Sequence, residues 1–481
     1  MNASRLSKKE RALSETENHN SALSNGLKDR HVTMLSIGGV IGAGLFIGSG
    51  HAIASAGPAV LIAYFLAGAL VVLVMRMLGE MAVASPDTGA FSTYATRAIG
   101  PWAGFTIGWL YWWFWVIVIP FEAVAVAAIL NNWFPGISVP ILAFLFIAAL
   151  TVCNLYSVGK YGEFEFWFAL LKVVAIIAFI ATCSVALFGG LPGREVKGFV
   201  ATLHENGGFA PRGYGVVLGA LLVTMTSFMG TEIVTIAAAE SKNPAEQITR
   251  STNSVIWRIA LFYLLSIVLV ISIVPWHDTS LPVVGSYQRA LEYLQIPYAK
   301  LIMDVVILVA VASNLNSAIY TASRMMFSPA KRGDAPSSLK VTTKSGVPAR
   351  AVLASVVVGM VATFANYNSP GQVFTFLMAT SGAIALLVYL VIAVSQLRMR
   401  RILIASGKPL ALKMWFFPWL TWFVIVFIIG ALGYMVTMPE HFYEVMTTAI
   451  LGCVVTITGI VSKRKSPADE SFTAAVGRPG R

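Results

Sequence analysis

Charge is scarce in this chain. Asp, Glu, Lys and Arg make up 12% of its 481 residues, about half the share usual in a soluble domain, which excludes a large solvated surface. Cysteine is scarcer still: Cys153, Cys183 and Cys453 all fall inside apolar runs, with no spacing that builds a disulfide framework or a metal knuckle. His19, His31, His51, His204, His277 and His441 are scattered among tail, loops and run ends. No metal set and no nucleophile–base pair emerges from them, so no catalytic centre, metal or cofactor is expected. The first 26 residues are polar and rich in Ser and Asn. They lack the apolar core of a cleavable signal peptide and read as a disordered cytoplasmic tail.

What the chain has is apolar length: 57% hydrophobic residues and a mean hydropathy of +0.76. At about 20 residues per crossing it holds roughly twelve transmembrane helices and short loops, an all-α polytopic membrane protein. The runs place spans at 33–57, 59–84, 101–131, 138–157, 164–189, 213–238, 253–276, 299–327, 347–367, 371–397, 414–437 and 441–462. Four parts follow: a tail over 1–30, a ten-helix core over 31–400, two last helices over 401–465 and a second cytoplasmic tail over 466–481. In a soluble protein the net charge of +12 would suggest nucleic acid; here topology accounts for it. Of the 34 Lys and Arg residues, only Arg194, Lys197, Arg212, Arg289 and Lys300 fall in one set of alternate loops. Lys172 and Arg258 lie within spans, and the other 27 belong to the opposite side. That bias puts both termini in the cytoplasm.

The connections differ in character. Segment 85–98 is either a plain linker or a short helix capping the inner mouth. Segment 239–252, with Asn243 before Pro244, reads as a capped surface helix. Segment 277–298 lies outside with room for a short helix, and 328–346 is a basic inner loop.

Two spans carry breaks. The first, TMLSIGGVIGAGLFIGSGHAIASAG at 33–57, crowds six glycines into its centre. Glycine in a helix interior costs about 1 kcal/mol against alanine, and broken backbone within a membrane is tolerated only where it is buried in protein or lines a cavity. The break is expected at Gly38–Gly44. The sixth, at 213–238, is interrupted by Ser227, Gly230, Thr231 and Glu232. Five spans separate the two positions, which forces opposite orientations. Interrupted helices at corresponding positions of two halves point to a transporter site at the midplane of an inverted repeat. A plainer reading of the glycines is close helix packing, since Gly38 and Gly42, and Gly44 and Gly48, fit the small-xxx-small pattern.

A helix N-terminus attracts anions through free N–H groups and its dipole. Gly42, Ala43 and Gly44 offer such groups to a substrate carboxylate. Freed carbonyls near Ser227, Phe228 and Met229 suit an ammonium, and Phe228 is the aromatic placed to gate a bound substrate. Ionisable groups deep in a bilayer are functional hypotheses by default. Lys172 either titrates and bonds broken-helix carbonyls in place of a sodium ion, or is a structural lysine. Glu232 either holds the broken segment by accepting N–H groups or faces substrate. Glu122 receives an ammonium, relays a proton, or stays a buried neutral carboxyl. Glu163 and Glu165 read as an inner cap or gate, and Asp304 and Arg258 as interfacial. Asn314, Asn316 and Ser317 either line the path or bond neighbouring helices. The aromatic run Trp109 to Trp115 reads as packing against other helices.

The segments GGVIGAGLFIGSG, MRMLGEMAVASPDTGAFSTYA, GEFEFW, SFMGTEIVTIAAAES and NSAIYTASRMMFSPAKRGDAP closely resemble the amino acid permeases of the amino acid–polyamine–organocation superfamily. The likeness covers about residues 27–465. Within it, AIGPWAGFTIGWLYWWFWVIVIPFE at 98–122 and SGAIALLVYLVIAVSQLRMR at 381–400 resemble the 4-aminobutyrate (GABA) permeases. The resemblance implies a LeuT-like, five-plus-five inverted-repeat core with two extra helices. It further implies proton-coupled uptake of a small zwitterionic amino acid, GABA or a close ω-amino acid, across the bacterial inner membrane. The alternative is another small amino acid, such as proline or β-alanine. By position, Gly42, Ala43 and Gly44 match the carboxylate-binding turn, Phe228, Met229, Gly230 and Glu232 fall in the second unwound segment, and Lys172 matches the lysine that replaces the sodium site. Two departures stand out: Pro329, where an aliphatic residue is expected, and Asn314, where a small or sulfur-containing residue is expected.

Overall fold

The computed structural model describes residues 29–463 except 39, 88, 157, 192–195, 240, 242, 366–369, 406, 408–409 and 440. Apart from Asp29 and Arg30, both expected tails lie outside the described residues. Every regular element among the described residues is helical, and nine stretches are long and apolar enough to cross a membrane, with two shorter apolar helices besides. One of the nine, Gly44–Ala84, contains the end of one crossing and the whole of the next.

Twelve crossings result among the described residues. The first is split into Asp29–Gly38 and a π-helical turn Gly44–Gly48 that continues as Ser49–Ala56. The second is Val60–Ala84, the third Pro101–Trp133, the fourth Val139–Tyr156 and the fifth Val158–Leu187. The sixth is split into Val216–Thr226 and Ile233–Ala239. The seventh runs from Pro244 to Ile273 through a π-helical stretch at Ile259–Leu265. The rest are Ala299–Arg332, Ala349–Ala365, Pro370–Ala405, Trp419–Val436 and Phe442–Lys463.

Some connections depart from expectation. Segment 239–252 is not a separate surface helix: Pro244, with its ring suited to a first helical turn, opens the seventh crossing itself. The eighth crossing absorbs Pro329 and ends at Arg332, so the basic loop starts later than its sequence implies. Segment 85–98 forms the helix Ala90–Ala98, and 277–298 forms Leu281–Val284 and Ser286–Tyr293. Gly285, at φ +87°, brings this last connection against the Phe46 carbonyl, where a side chain would collide with backbone.

The third and eighth crossings form the centre, each 78% buried over its apolar window, whereas the twelfth is 17% buried. Trp167, Val174, Val426 and Ile457 stand exposed on outer helices. That much bare apolar surface is unusual against water and natural against lipid. Buried Glu80 ties the last helices to the core. It accepts from Gln396 Nε2 at 2.9 Å and from the Met414 N–H at 2.6 Å, and Arg400 lies 3.5 Å away. Thr421 in turn donates to Gln396 at 3.0 Å. Glu80→Ala strands the buried Gln396 amide and the Met414 N–H and takes a counter-charge from half-buried Arg400; each buried donor left unpaired costs about 1–3 kcal/mol. The variant is expected to show a clearly lower Tm in detergent; an unchanged Tm would count against this anchor.

Candidate functional site

The two breaks face one another. The first interrupts the chain at Val40–Gly42 and the sixth crossing's at Ser227–Glu232. Ser227 Oγ donates to the Gly44 carbonyl at 2.7 Å, joining them directly. A Cβ on Gly42 would lie 2.6 Å from Glu122 Oε1 and against Asn314, so only glycine lets the first break approach the third and eighth crossings this closely.

Three ionisable side chains converge here. Lys172, fully buried on the fifth crossing, donates from Nζ to the Ile41 carbonyl at 3.0 Å. Glu122, on the third crossing, accepts from the Ala43 N–H at 3.2 Å and from Asn314 Nδ2 at 2.5 Å. Glu165 lies two helical turns before Lys172 and accepts from Ser313 Oγ. Lys172 is within electrostatic reach of both carboxylates. Beside it, Asn154 Nδ2 donates to Asn316 Oδ1 at 2.6 Å. Glu165 is therefore no inner cap or gate: it is fully buried. Its neighbour Glu163 does fit the inner end, pairing with Arg30 at 2.7 Å and His31 at 2.8 Å.

In the sixth crossing, Glu232 Oε1 accepts from the Gly230 N–H at 3.2 Å and from Tyr111 Oη at 2.7 Å. It holds the loosened backbone. Met229 lines a cavity of about 20 Å³ with Glu122, Asn314, Trp115, Thr226 and Ser381, room for roughly one water. Asn314 Oδ1 is buried without a hydrogen-bond partner among the described residues. Phe228 sits on the other face of the break, its ring 4.5 Å from Tyr263 and 6.0 Å from Tyr64, and does not line this cavity. Gly42, Ala43, Gly44, Glu122, Lys172 and Met229 are thus gathered at one spot, with Gly230 and Glu232 beside it.

The two ends of the bundle differ. Near the helix Ala90–Ala98, Arg332 seals the mouth, donating to Thr93 and Ser92 at 3.2 Å, to Ser328 at 3.1 Å and to Asp334 at 3.1 Å. At the opposite end lies a vestibule of about 600 Å³, reaching Ile47, Ala125 and Ile307. Each net hydrogen bond contributes about 0.5–1.5 kcal/mol, so Arg332→Ala is expected to loosen the seal. A cysteine at Ser328 should react with a polar thiol reagent about tenfold faster in that background; equal rates would show that the mouth is closed by other means.

Sequence reasoning misplaced Glu165 and gave no site role to Ser313, Tyr111 or Arg332. The spacing held a signal for two of them. Glu165 and Lys172 lie seven apart, and Tyr111 and Glu122 eleven apart, which in each case puts both on one helix face.

Two broken helices meeting over a small polar cavity, sealed at one end and beneath a vestibule at the other, are the architecture of a secondary transporter. The amino acid permease family model matches residues 31–469, and the chain belongs to that family. It is 69% identical over 448 residues to a probable GABA permease of Pseudomonas aeruginosa, covering 93% of this chain and 94% of the relative. It is 59% identical to a gamma-aminobutyric acid permease of Escherichia coli, covering 89% and 92%, and 47% identical to one of Bacillus subtilis, covering 94% and 96%. Among solved structures, a manganese transporter of Eremococcus coleocola shares the fold at 13% identity, with a TM-score of 0.56 over 92% of this chain and 93% of that one. The family is one of permeases, multi-pass in the membrane, and not of enzymes.

Proposed function

We propose that this permease imports GABA, or a closely related ω-amino acid, together with protons across the bacterial inner membrane, with both termini cytoplasmic. The observation that carries the coupling is Lys172 Nζ on the Ile41 carbonyl. A protonated lysine there does what a bound sodium ion would do, drawing together freed carbonyls of the first break. When it loses its proton that hold weakens, and the break is free to rearrange.

The substrate carboxylate goes to the N–H groups of Gly42, Ala43 and Gly44, the first turn of a helix and so without intrahelical partners. Glu122 takes the Ala43 N–H in this structure, so an arriving carboxylate displaces it. Two anions on one amide repel each other; proton uptake by Glu122, or its withdrawal toward Lys172, relieves that. The ammonium goes to Asn314 Oδ1 and to the carbonyls of Ser227 and Met229, which no backbone N–H takes among the described turn and loop bonds. Gly230 and Glu232 keep this second break open, and Phe228 props it against Tyr263 and Tyr64. A cavity of about 20 Å³ is far too small for an amino acid, so loading requires the helix bundle to rock open toward the vestibule, and release requires the Arg332 seal to part.

Competition against labelled GABA in proteoliposomes with an imposed pH gradient tests this. Concentrative, gradient-dependent uptake inhibited by GABA more strongly than by β-alanine or proline is expected. Strongest inhibition by proline, or uptake indifferent to the gradient, would overturn the substrate or the coupling respectively.

A further inference from the structure

The vestibule has a chemistry of its own. Its volume, about 600 Å³, lies in the range of small-molecule sites, and Ile47, Ala125 and Ile307 give it an apolar floor. Over that floor stand Lys300 and Asp304, four residues apart at the start of the eighth crossing and so on one face, with Cβ atoms about 5–6 Å apart. Lys300 is exposed, whereas Asp304 is only 4% exposed and forms no ion pair among the described residues. Lys300 acts on it through space. Trp133 hydrogen-bonds it as well, but a neutral donor leaves a buried carboxylate without a counter-charge, and this one lines a cavity wide enough to admit a cation. Gln288 lines the same space. Its Nε2 is committed to Glu292 at 2.8 Å, which leaves its amide oxygen.

We propose that the vestibule binds a second molecule of substrate, a zwitterion whose two charges are separated by methylenes. The ammonium meets Asp304 and the Gln288 oxygen, the carboxylate meets Lys300, and the methylenes lie on Ile47 and Ile307. An ω-amino acid spans the Lys300–Asp304 separation; an α-amino acid, with both charges on one carbon, engages one of the two. The vestibule therefore selects for charge separation before the central site is reached. This inference rests on the substrate reading given above.

Equilibrium binding of labelled GABA to the purified full-length protein in nanodiscs is the test. Wild type is expected to bind two molecules per chain, and Gly42→Leu to keep only the weaker class. Asp304→Asn and Lys300→Gln should each weaken that class at least tenfold and leave the tighter one unchanged. One molecule per chain in wild type, or a second class indifferent to both substitutions, overturns the vestibule site while leaving the transport reading intact. No binding at all overturns both. Lys300→Gln alters an exposed side chain, and wild-type stoichiometry needs no substitution, so a misfolded Asp304→Asn or Gly42→Leu leaves the answer decisive.

Discussion

Lys172→Ala is expected to turn accumulation into equilibration: in proteoliposomes under a pH gradient, internal substrate rises to the external level and no higher. Lys172 bonds the Ile41 carbonyl from the fifth crossing, and its charge is set against Glu165 and Glu122. Removing it leaves a buried carbonyl unpaired, at a cost of about 1–3 kcal/mol, and two buried carboxylates without their shared counter-charge. Lys172→Arg separates charge from titration. Arginine keeps the charge but does not give up its proton in proteins, so it too should fail to concentrate substrate. Exchange of labelled for unlabelled substrate without a gradient is the control; a variant that still exchanges has a formed site and has lost coupling. Undiminished accumulation in either variant would remove Lys172 from the mechanism.

Gly42→Leu is expected to abolish high-affinity binding at the central site. The added Cβ already lies 2.6 Å from Glu122 Oε1 and collides with Asn314, before the rest of the side chain is counted. Overpacking costs about 1–3 kcal/mol, equivalent to roughly five- to more than a hundredfold in affinity, and the leucine also covers the N–H groups meant for a carboxylate. Gly44→Ala is milder, because its Cβ meets Ser227 backbone at 3.1 Å; there a measurable rise in KM is expected, not a loss. Uptake KM in Gly42→Leu within threefold of wild type would defeat the carboxylate assignment.

Much of this was legible in the residues, for reasons that differ element by element. The broken crossings announced themselves because glycines in one and Ser227–Glu232 in the other are poor helix material within long apolar runs. Lys172 and Glu122 stood out because ionisable groups are rare at that depth. Asn314 was visible as a departure, and it turned out to be the group that orients Glu122. Phe228 misled, because the side to which a ring turns at a helix break depends on Tyr263 and Tyr64, residues on other crossings. Glu165 misled for a related reason. Nearness to the start of a helix suggested water, but Ser313 reaches it from the eighth crossing. The vestibule left no trace in local sequence, since it is bounded by the first, third, fourth and eighth crossings and the connection at 281–293, and no single stretch encodes it.

The hydroxyl of Ser227 on the Gly44 carbonyl carries one more consequence. It stitches the severed helices at a common pivot, where Val216–Thr226 already packs on Gly44–Gly48 and Ser49–Ala56, so a swing of one is expected to drag the other. Ser227→Ala would unpick the stitch, and the pair would then be expected to drift independently, leaking substrate backward in place of handing it across in one stroke.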